Sequence, residues 1–324
     1  MTVFIFVTPV LSNSLVVAGL LELQGEWDDV REQCWSVNTK KSRKSQWKKY
    51  FAFCEEFSLT PLPADVETVG LYITFLARKC CYVTIINYIS GLWALHDYWG
   101  VPHLDPSTFL IRATLRGAKR ILGCESVPAD PLSPDQLRRL YSVLDMNKYD
   151  DLQFWCALIL MFRCLLRVSH IVTSPHTMKR KDLAWTPSGM DVTIRSSKTV
   201  QFRERVVVVP IVASPSSVLC PCDFLNYYVS SSTRHQEDPL FSFNYNGFSS
   251  KLKKTCQLAG LVGNFSSHSL RRGSATFLSD FLPLHTVKAY GDWKSWSVLL
   301  YVADSYSARK VKDRLVADRL SVYN

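Results

Sequence analysis

Between Gly123 and Pro134 the chain reads Gly-Cys-Glu-Ser-Val-Pro-Ala-Asp-Pro-Leu-Ser-Pro, with Pro128, Pro131 and Pro134 inside seven residues. Proline has no backbone N–H and its ring clashes with the preceding helical turn, so no helix crosses this stretch. The break divides 324 residues into two parts, each long enough to bury a core. We assign an irregular N-terminal segment to 1–38, a helical domain to 39–124, a linker to 125–133 and a second domain to 134–324.

The first domain has a helical period throughout. From Thr39, the residues Trp47, Tyr50, Phe51, Cys54 and Phe57 recur three and four apart, with Lys40, Lys44 and Lys48 on another face. Pro61 and Pro63 end that pattern. Asp65 has the character of an N-cap for a helix to about Lys79 with Val69, Tyr72, Ile73 and Leu76 as its stripe. A third helix spans about Val83 to Trp99 and stops at Gly100; a fourth opens near Pro106 and reaches Leu122. In this last helix Arg112, Arg116, Lys119 and Arg120 form a basic ridge, set away from Leu110, Ala113, Gly117 and Ile121.

The second domain opens on Ser133-Pro134-Asp135, an N-cap with proline in the first turn. Helices are expected at about 134–145 and 150–166. The pattern then changes: Asp191–Ile194 and Arg205–Pro210 are rich in β-branched residues and flank the polar Arg195-Ser-Ser-Lys-Thr199. These predict a hairpin or small antiparallel sheet with a basic turn. Helical patterns return from Pro221, through 249–261, 269–278 and 285–290 to 295–306. The fold class is therefore mainly α with a small antiparallel β-sheet.

The net charge of +10 points to a polyanionic partner. Residues 1–130 hold 13 Lys and Arg against 13 Asp and Glu, so the excess lies in 131–324, with 25 against 15. Lys44 and Lys48, and the ridge Arg112, Arg116, Lys119 and Arg120, are candidate DNA-binding groups; either block alone could equally be a solvated face. Ten cysteines follow no zinc spacing or regular framework, as expected of free thiols, and no metal site is expected. The thirteen glycines form no phosphate-binding loop of the Walker type. Met1–Leu21 is uncharged and could be a signal peptide or an anchor, but it lacks leading basic residues and is interrupted by Pro9 and Ser12-Asn13-Ser14, so the favoured expectation is an irregular segment and no membrane partner.

Four clusters in the second domain could act on a phosphodiester. Leu165-Leu166-Arg167-Val168-Ser169 ends an apolar run with a cation, which by itself describes a snorkelling arginine. Lys198, in Ser196-Ser197-Lys198-Thr199, is by itself a turn lysine. His268-Ser269-Leu270-Arg271 places His and Arg three apart, where both can face one site on a helix. Gly291-Asp-Trp-Lys-Ser295 leads to Tyr301 on an apolar helix, and the chain has fourteen tyrosines.

In order and spacing together these blocks resemble the tyrosine recombinase, or phage-integrase-like, family. They look closest to recombinases of eukaryotic mobile elements of the Crypton and DIRS kind, on Ser197-Lys198-Thr199, Cys220-Pro221, His268-Ser269-Leu270-Arg271 and Gly291-Asp-Trp-Lys-Ser295. The resemblance covers about residues 43–306. It implies a helical N-terminal DNA-binding domain and a mixed α+β catalytic domain of the tyrosine recombinase fold. It also implies double-stranded DNA as partner, a homotetramer on DNA, a nuclear location and no cofactor.

The implied roles follow the chemistry. Arg167 and Arg271 would clamp the non-bridging oxygens as charge grows on the phosphorus, since guanidinium matches that geometry in bidentate fashion. A tyrosine hydroxyl, with an ordinary pKa of about 10, needs a proton acceptor to attack at neutral pH. The resemblance gives Tyr301 the attack, His268 the acceptance, Lys198 the protonation of the leaving 5′-oxygen, and Trp293 a packing and hydrogen-bonding role. Two positions depart from the family's pattern. His170 stands where an acidic residue commonly follows the first arginine by three, and Asp292 stands where His or Trp commonly follows the glycine. A type IB topoisomerase, sharing the phosphotyrosine chemistry, and a recombinase-derived DNA-binding protein with impaired catalysis are the alternatives.

Overall fold

The computed structural model describes residues 14–102, 105–123, 128–197, 205–302, 313–314 and 316–319. The chain forms two compact units, Met1–Ser126 and Val127–Asn324.

In the first unit, helix α1 (Ser14–Glu32) is followed by α2 (Val37–Glu56), α3 (Val66–Ala77), α4 (Tyr82–Trp99) and α5 (Phe109–Leu122). The segment expected to be irregular over 1–38 is therefore helical from Ser14 to Glu32. The other helices start and stop where local chemistry dictates. Ser36 and Asp65 accept backbone N–H groups of Thr39 and Thr68 as N-caps, and Gly100 ends α4 in the left-handed conformation, φ 62°. Tyr50, Phe53, Tyr72, Ile73, Leu76, Ile85, Leu92, Leu95 and Ile111 close one core.

Helix α5 corrects one expectation. Its inward stripe is Ile111, Leu115, Ala118 and Leu122, whereas Leu110 and Ile121 are 59% and 84% exposed. Both sets obey a helical period; the inward set fits three larger aliphatic side chains and one alanine against α3. Arg112, Arg116, Lys119 and Arg120 are exposed, as are Lys44 and Lys48 on α2.

The second unit is built on α7 (Tyr149–Arg163), in which every side chain from Leu152 to Phe162 is buried. A helix apolar on all sides can be satisfied only at the centre of a unit. The oxygen of its one buried amide is satisfied: Gln153 Oε1 accepts from Tyr228 Oη (3.1 Å) and from Ser242 N and Oγ (2.8 Å each). Around α7 lie α6 (Pro134–Ser142), α8 (Pro221–Ser230), α9 (Tyr245–Leu258) and α10 (Ser267–Ser279), and α11 (Leu284–Tyr290) packs on α10. Ser133 caps α6 through a capping box with Gln136.

The sheet has three antiparallel strands in the order β1 (Leu183–Thr186), β2 (Gly189–Ile194) and β3 (Val207–Val212). In β2–β3, Ile194 faces Val207 and Asp191 faces Pro210. Pro210 lies on the edge strand, where a missing N–H leaves no central ladder bond broken. Val209 and Ile211 point into the core while Val208 and Val212 face solvent. Strand β1 went unforeseen because its four residues, Leu-Ala-Trp-Thr, show no buried alternation. No described helix is long and apolar enough to cross a membrane.

The proline-rich segment lies along α10. Leu132 N–H donates to Ser269 O (3.0 Å) and Asp130 N–H to Asn264 O (2.9 Å). Glycine at 273 permits this approach, for a Cβ there would sit 1.8 Å from the Leu132 carbonyl oxygen.

Candidate active site

The site grows from the end of α7. After Arg163 the chain turns sharply: Leu165 is buried and takes a positive φ of 47°, a conformation uncommon for a residue with a branched side chain. This turn aims the Leu165 carbonyl at Arg271, whose guanidinium donates to it, and delivers Arg167 in extended conformation, φ −83° and ψ 152°. A second donation runs from Arg271 Nη2 to Gly291 O at 2.6 Å.

Arg271 projects from the second turn of α10, a helix capped by Ser266, and is 3% exposed. Its Cζ lies 4.0 Å from the centroid of the Trp293 ring and 5.5 Å from that of Tyr301. Such cation–ring contacts strengthen once water is excluded. The Trp293 and Tyr301 rings are 5.2 Å apart, and the Tyr301 and His268 rings 6.4 Å apart. Gly291 makes room for this stack: a Cβ there would meet Trp293 ring carbons at 1.7 Å. Burial, and then Arg167 beside it, bring the Arg271 pKa down to about 9, so the group remains cationic at pH 7. Nε of Arg271 is buried without a hydrogen-bond partner among the described residues.

Arg167 and Arg271 line one pocket together with His170, Ser197 and Asp292. His268, in the first turn of α10, is exposed. Partial withdrawal of its ring from water, then Arg271 and Arg167, hold its pKa below the ordinary value. A histidine kept neutral in this way is equipped to accept a proton.

The structure therefore brings together Arg167, His268, Arg271, Trp293 and Tyr301. Lys198 lies outside the described residues, as does Tyr306. Tyr301 is not carried on the long helix expected over 295–306: the described part is a 3-10 turn, Trp296–Leu300, with Tyr301 as its C-terminal residue. Ser295 caps that turn, and Arg272 binds the Leu300 carbonyl at 2.5 Å. Thr276 Oγ1 donates to the Tyr301 carbonyl at 3.5 Å, so two residues of α10 hold the end of this turn.

The partners that His170 and Asp292 find were not foreseen. His170 is 3% exposed and its Nδ1 accepts the Arg167 backbone N–H at 3.3 Å. Nδ1 is then the acceptor nitrogen, so Nε2 carries the proton and donates to Ser196 O at 3.2 Å. Burial first, then Arg167, bring the His170 pKa down to about 4. His176 Nδ1 meets Ser196 Oγ at 2.7 Å. Arg195, next to it, pairs with Asp182 at 2.7 Å, and Arg205 forms an ion pair with Asp292, whose φ is 51°. The signal for His170 was its place three residues after Arg167; nothing in the sequence pointed to His176 or Arg205.

Comparison with known proteins gives the frame for this geometry. No family model matches the chain. The integrase/recombinase xerD homolog of Selenomonas ruminantium is 26% identical over 261 residues, 76% of this chain and 74% of that protein. The Tn1549 transposon integrase, in complex with transposon right end DNA, superposes with a TM-score of 0.63 at 12% identity, over 90% of this chain and 97% of that one. A lambda integrase dimer bound to a COC′ core site gives 0.59 at 14% identity, over 88% and 95%. The fold is that of the tyrosine recombinases. The arginine, histidine and tyrosine positions above are where this chain gathers chemistry on that fold.

Proposed function

We propose that the chain is a site-specific DNA recombinase or integrase that cleaves and rejoins strands through a 3′-phosphotyrosine at Tyr301. The observation that carries this reading is the buried Arg271 guanidinium, held against Trp293 and beside Tyr301, with Arg167 and His268 in its field. Tyr301 Oη attacks phosphorus and passes its proton to His268. The bond from phosphorus to the 5′-oxygen breaks, and that oxygen leaves as a hydroxyl with a proton from Lys198. Arg167 and Arg271 offset the charge that develops on the non-bridging oxygens, where preorganised donors act most strongly. The phosphotyrosine bond conserves the energy of the cleaved one, so a second 5′-hydroxyl reverses the step.

The partner is double-stranded DNA, contacted in part by Lys44, Lys48, Arg112, Arg116, Lys119 and Arg120, with four copies assembled on two duplexes. The working context is integration or excision of a eukaryotic mobile element in the nucleus, on the resemblance to Crypton and DIRS recombinases. The test is incubation of the full chain with a pool of duplexes of randomised core sequence, followed by denaturing recovery of protein-linked DNA. Wild type yields an adduct at a 3′-phosphate and Tyr301→Phe yields none. An adduct in the Phe variant would assign the attack elsewhere, with Tyr306 next to test. DNA binding without any adduct would favour a non-cleaving DNA-binding protein, and relaxation of supercoils by isolated monomers a type IB topoisomerase.

A further inference from the structure

The two positions that depart from the family's pattern, His170 and Asp292, meet opposite ends of the same hairpin. His170 holds Ser196, two residues past the end of β2, and Asp292 holds Arg205, two residues before β3. We propose that both are positioning residues, which brace the ends of the β2–β3 connection against the arginine site.

The chemistry of each brace explains why the usual residue would not serve in this chain. At 170 the side chain must accept from the Arg167 N–H on one side and donate to the Ser196 carbonyl on the other. A neutral imidazole does both at once, whereas a carboxylate can only accept and would set its oxygen against that carbonyl. His176 adds a grip on the Ser196 hydroxyl. At 292 the residue sits between Gly291, whose carbonyl accepts from Arg271, and Trp293, whose ring lies under that guanidinium. A carboxylate there can hold the Arg205 cation; His or Trp cannot pair with it in that way.

Each brace therefore links one hairpin end to the backbone beside one of the two arginines. Lys198 follows Ser196 by two residues, at most roughly 7 Å of backbone. Fixing Ser196 bounds where the lysine can reach, so the braces serve the proton delivery to the leaving oxygen. This inference rests on the strand-cleavage reading proposed above.

The experiment uses a defined duplex taken from the adduct-forming pool, in two forms: the normal bridging 5′-oxygen and a bridging 5′-sulfur, which departs without a proton. Single-turnover adduct formation is measured for His170→Gln, His170→Glu, His170→Ala, Asp292→Asn, Arg205→Gln and the last two combined. Gln can accept and donate as the imidazole does; Glu has the same length and cannot donate. On oxygen, Gln stays within about threefold of wild type while Glu and Ala fall at least tenfold. Asp292→Asn, Arg205→Gln and their combination fall by the same factor, since all three break the same ion pair. On sulfur, all these variants return to the wild-type rate, and Arg271→Ala does not.

Recovery of activity by Glu but not Gln would show that position 170 requires negative charge, and would overturn the brace. Lys198→Ala, run alongside, separates the two levels. If it is rescued by sulfur and His170→Ala is not, the brace fails while the chemistry stands. If Lys198→Ala itself is not rescued, the proton-delivery reading fails and the inference falls with it. A DNA-free arm bears on the brace alone: nitrogen-15 spectra must show His170 protonated at Nε2, and the opposite tautomer would refute it.

Discussion

His170 supplies a thermodynamic signature that can be worked out in advance. In the folded unit its pKa is about 4, because burial keeps water from the charged ring and the nearby Arg167 cation disfavours a second positive charge. In the unfolded chain the value returns to about 6.5. The sign follows from proton counts. Above pH 6.5 neither state binds a proton at His170, and its contribution to stability is complete. As pH falls from 6.5 towards 4 the unfolded state takes up a proton that the folded state refuses, so stability is lost. The full loss, reached below pH 4, is about 3 kcal/mol, and about 2 kcal/mol of it falls between pH 7 and pH 5. The assay is urea unfolding at the two pH values, followed by pulsed hydrogen exchange of α7 peptides, which report the second unit alone. His170→Gln keeps an acceptor and a donor but does not titrate. Subtracting its pH dependence removes the contributions of His176 and His268, whose pKa values burial also lowers. Wild type should lose about 2 kcal/mol more than the Gln variant between pH 7 and pH 5. Equal losses would refute a buried neutral histidine at this position.

Three further outcomes are expected. Gly291→Ala drives a methyl into the Trp293 ring; repacking should cost about 1–3 kcal/mol in unfolding experiments and lower adduct yield through the Arg271 stack. Arg271→Lys keeps a charge yet cannot bind the Leu165 and Gly291 carbonyls with the same fork, so single-turnover cleavage should fall by at least a hundredfold, equivalent to about 3 kcal/mol. Replacing Arg112, Arg116 and Lys119 by alanine should reduce the slope of log affinity against log salt by about 0.9 for each phosphate no longer neutralised, and an unchanged slope would place this face of α5 away from DNA.

Much of the fold is legible because its signals are local. Asp65, Ser133 and Gly100 mark helix ends through hydrogen bonds and backbone conformations they make with near neighbours. The four chemical blocks are legible together because their order survives as spacing along the chain. What escaped depended on distance or on degenerate patterns. Helix α5 carries two apolar stripes one residue out of phase, and only packing against α3 selects Ile111 over Leu110. The helix Ser14–Glu32 begins inside the uncharged N-terminal run, where Pro9 and the polar Ser12-Asn13-Ser14 pointed to an irregular segment. The 3-10 turn before Tyr301 is fixed by Arg272 reaching the Leu300 carbonyl, a hydrogen bond from 28 residues away. The His170–Ser196 bond likewise joins residues 26 apart, across a sheet whose first strand has no pattern of its own.

The strap of residues 130–132 along α10 has a consequence for anyone recombining modules from such proteins. Its backbone is stitched to Asn264 and Ser269, and Leu132 occupies the space that Gly273 leaves open, one and two residues from Arg272 and Arg271. A chimera cut at Ser133, the N-cap of α6, would therefore hand the second unit a foreign strap. That replacement would press on the helix bearing His268 and Arg271. A junction placed before Pro128 carries the native strap with its helix, and length or composition can be varied upstream of it while the bed of His268 and Arg271 stays as it was.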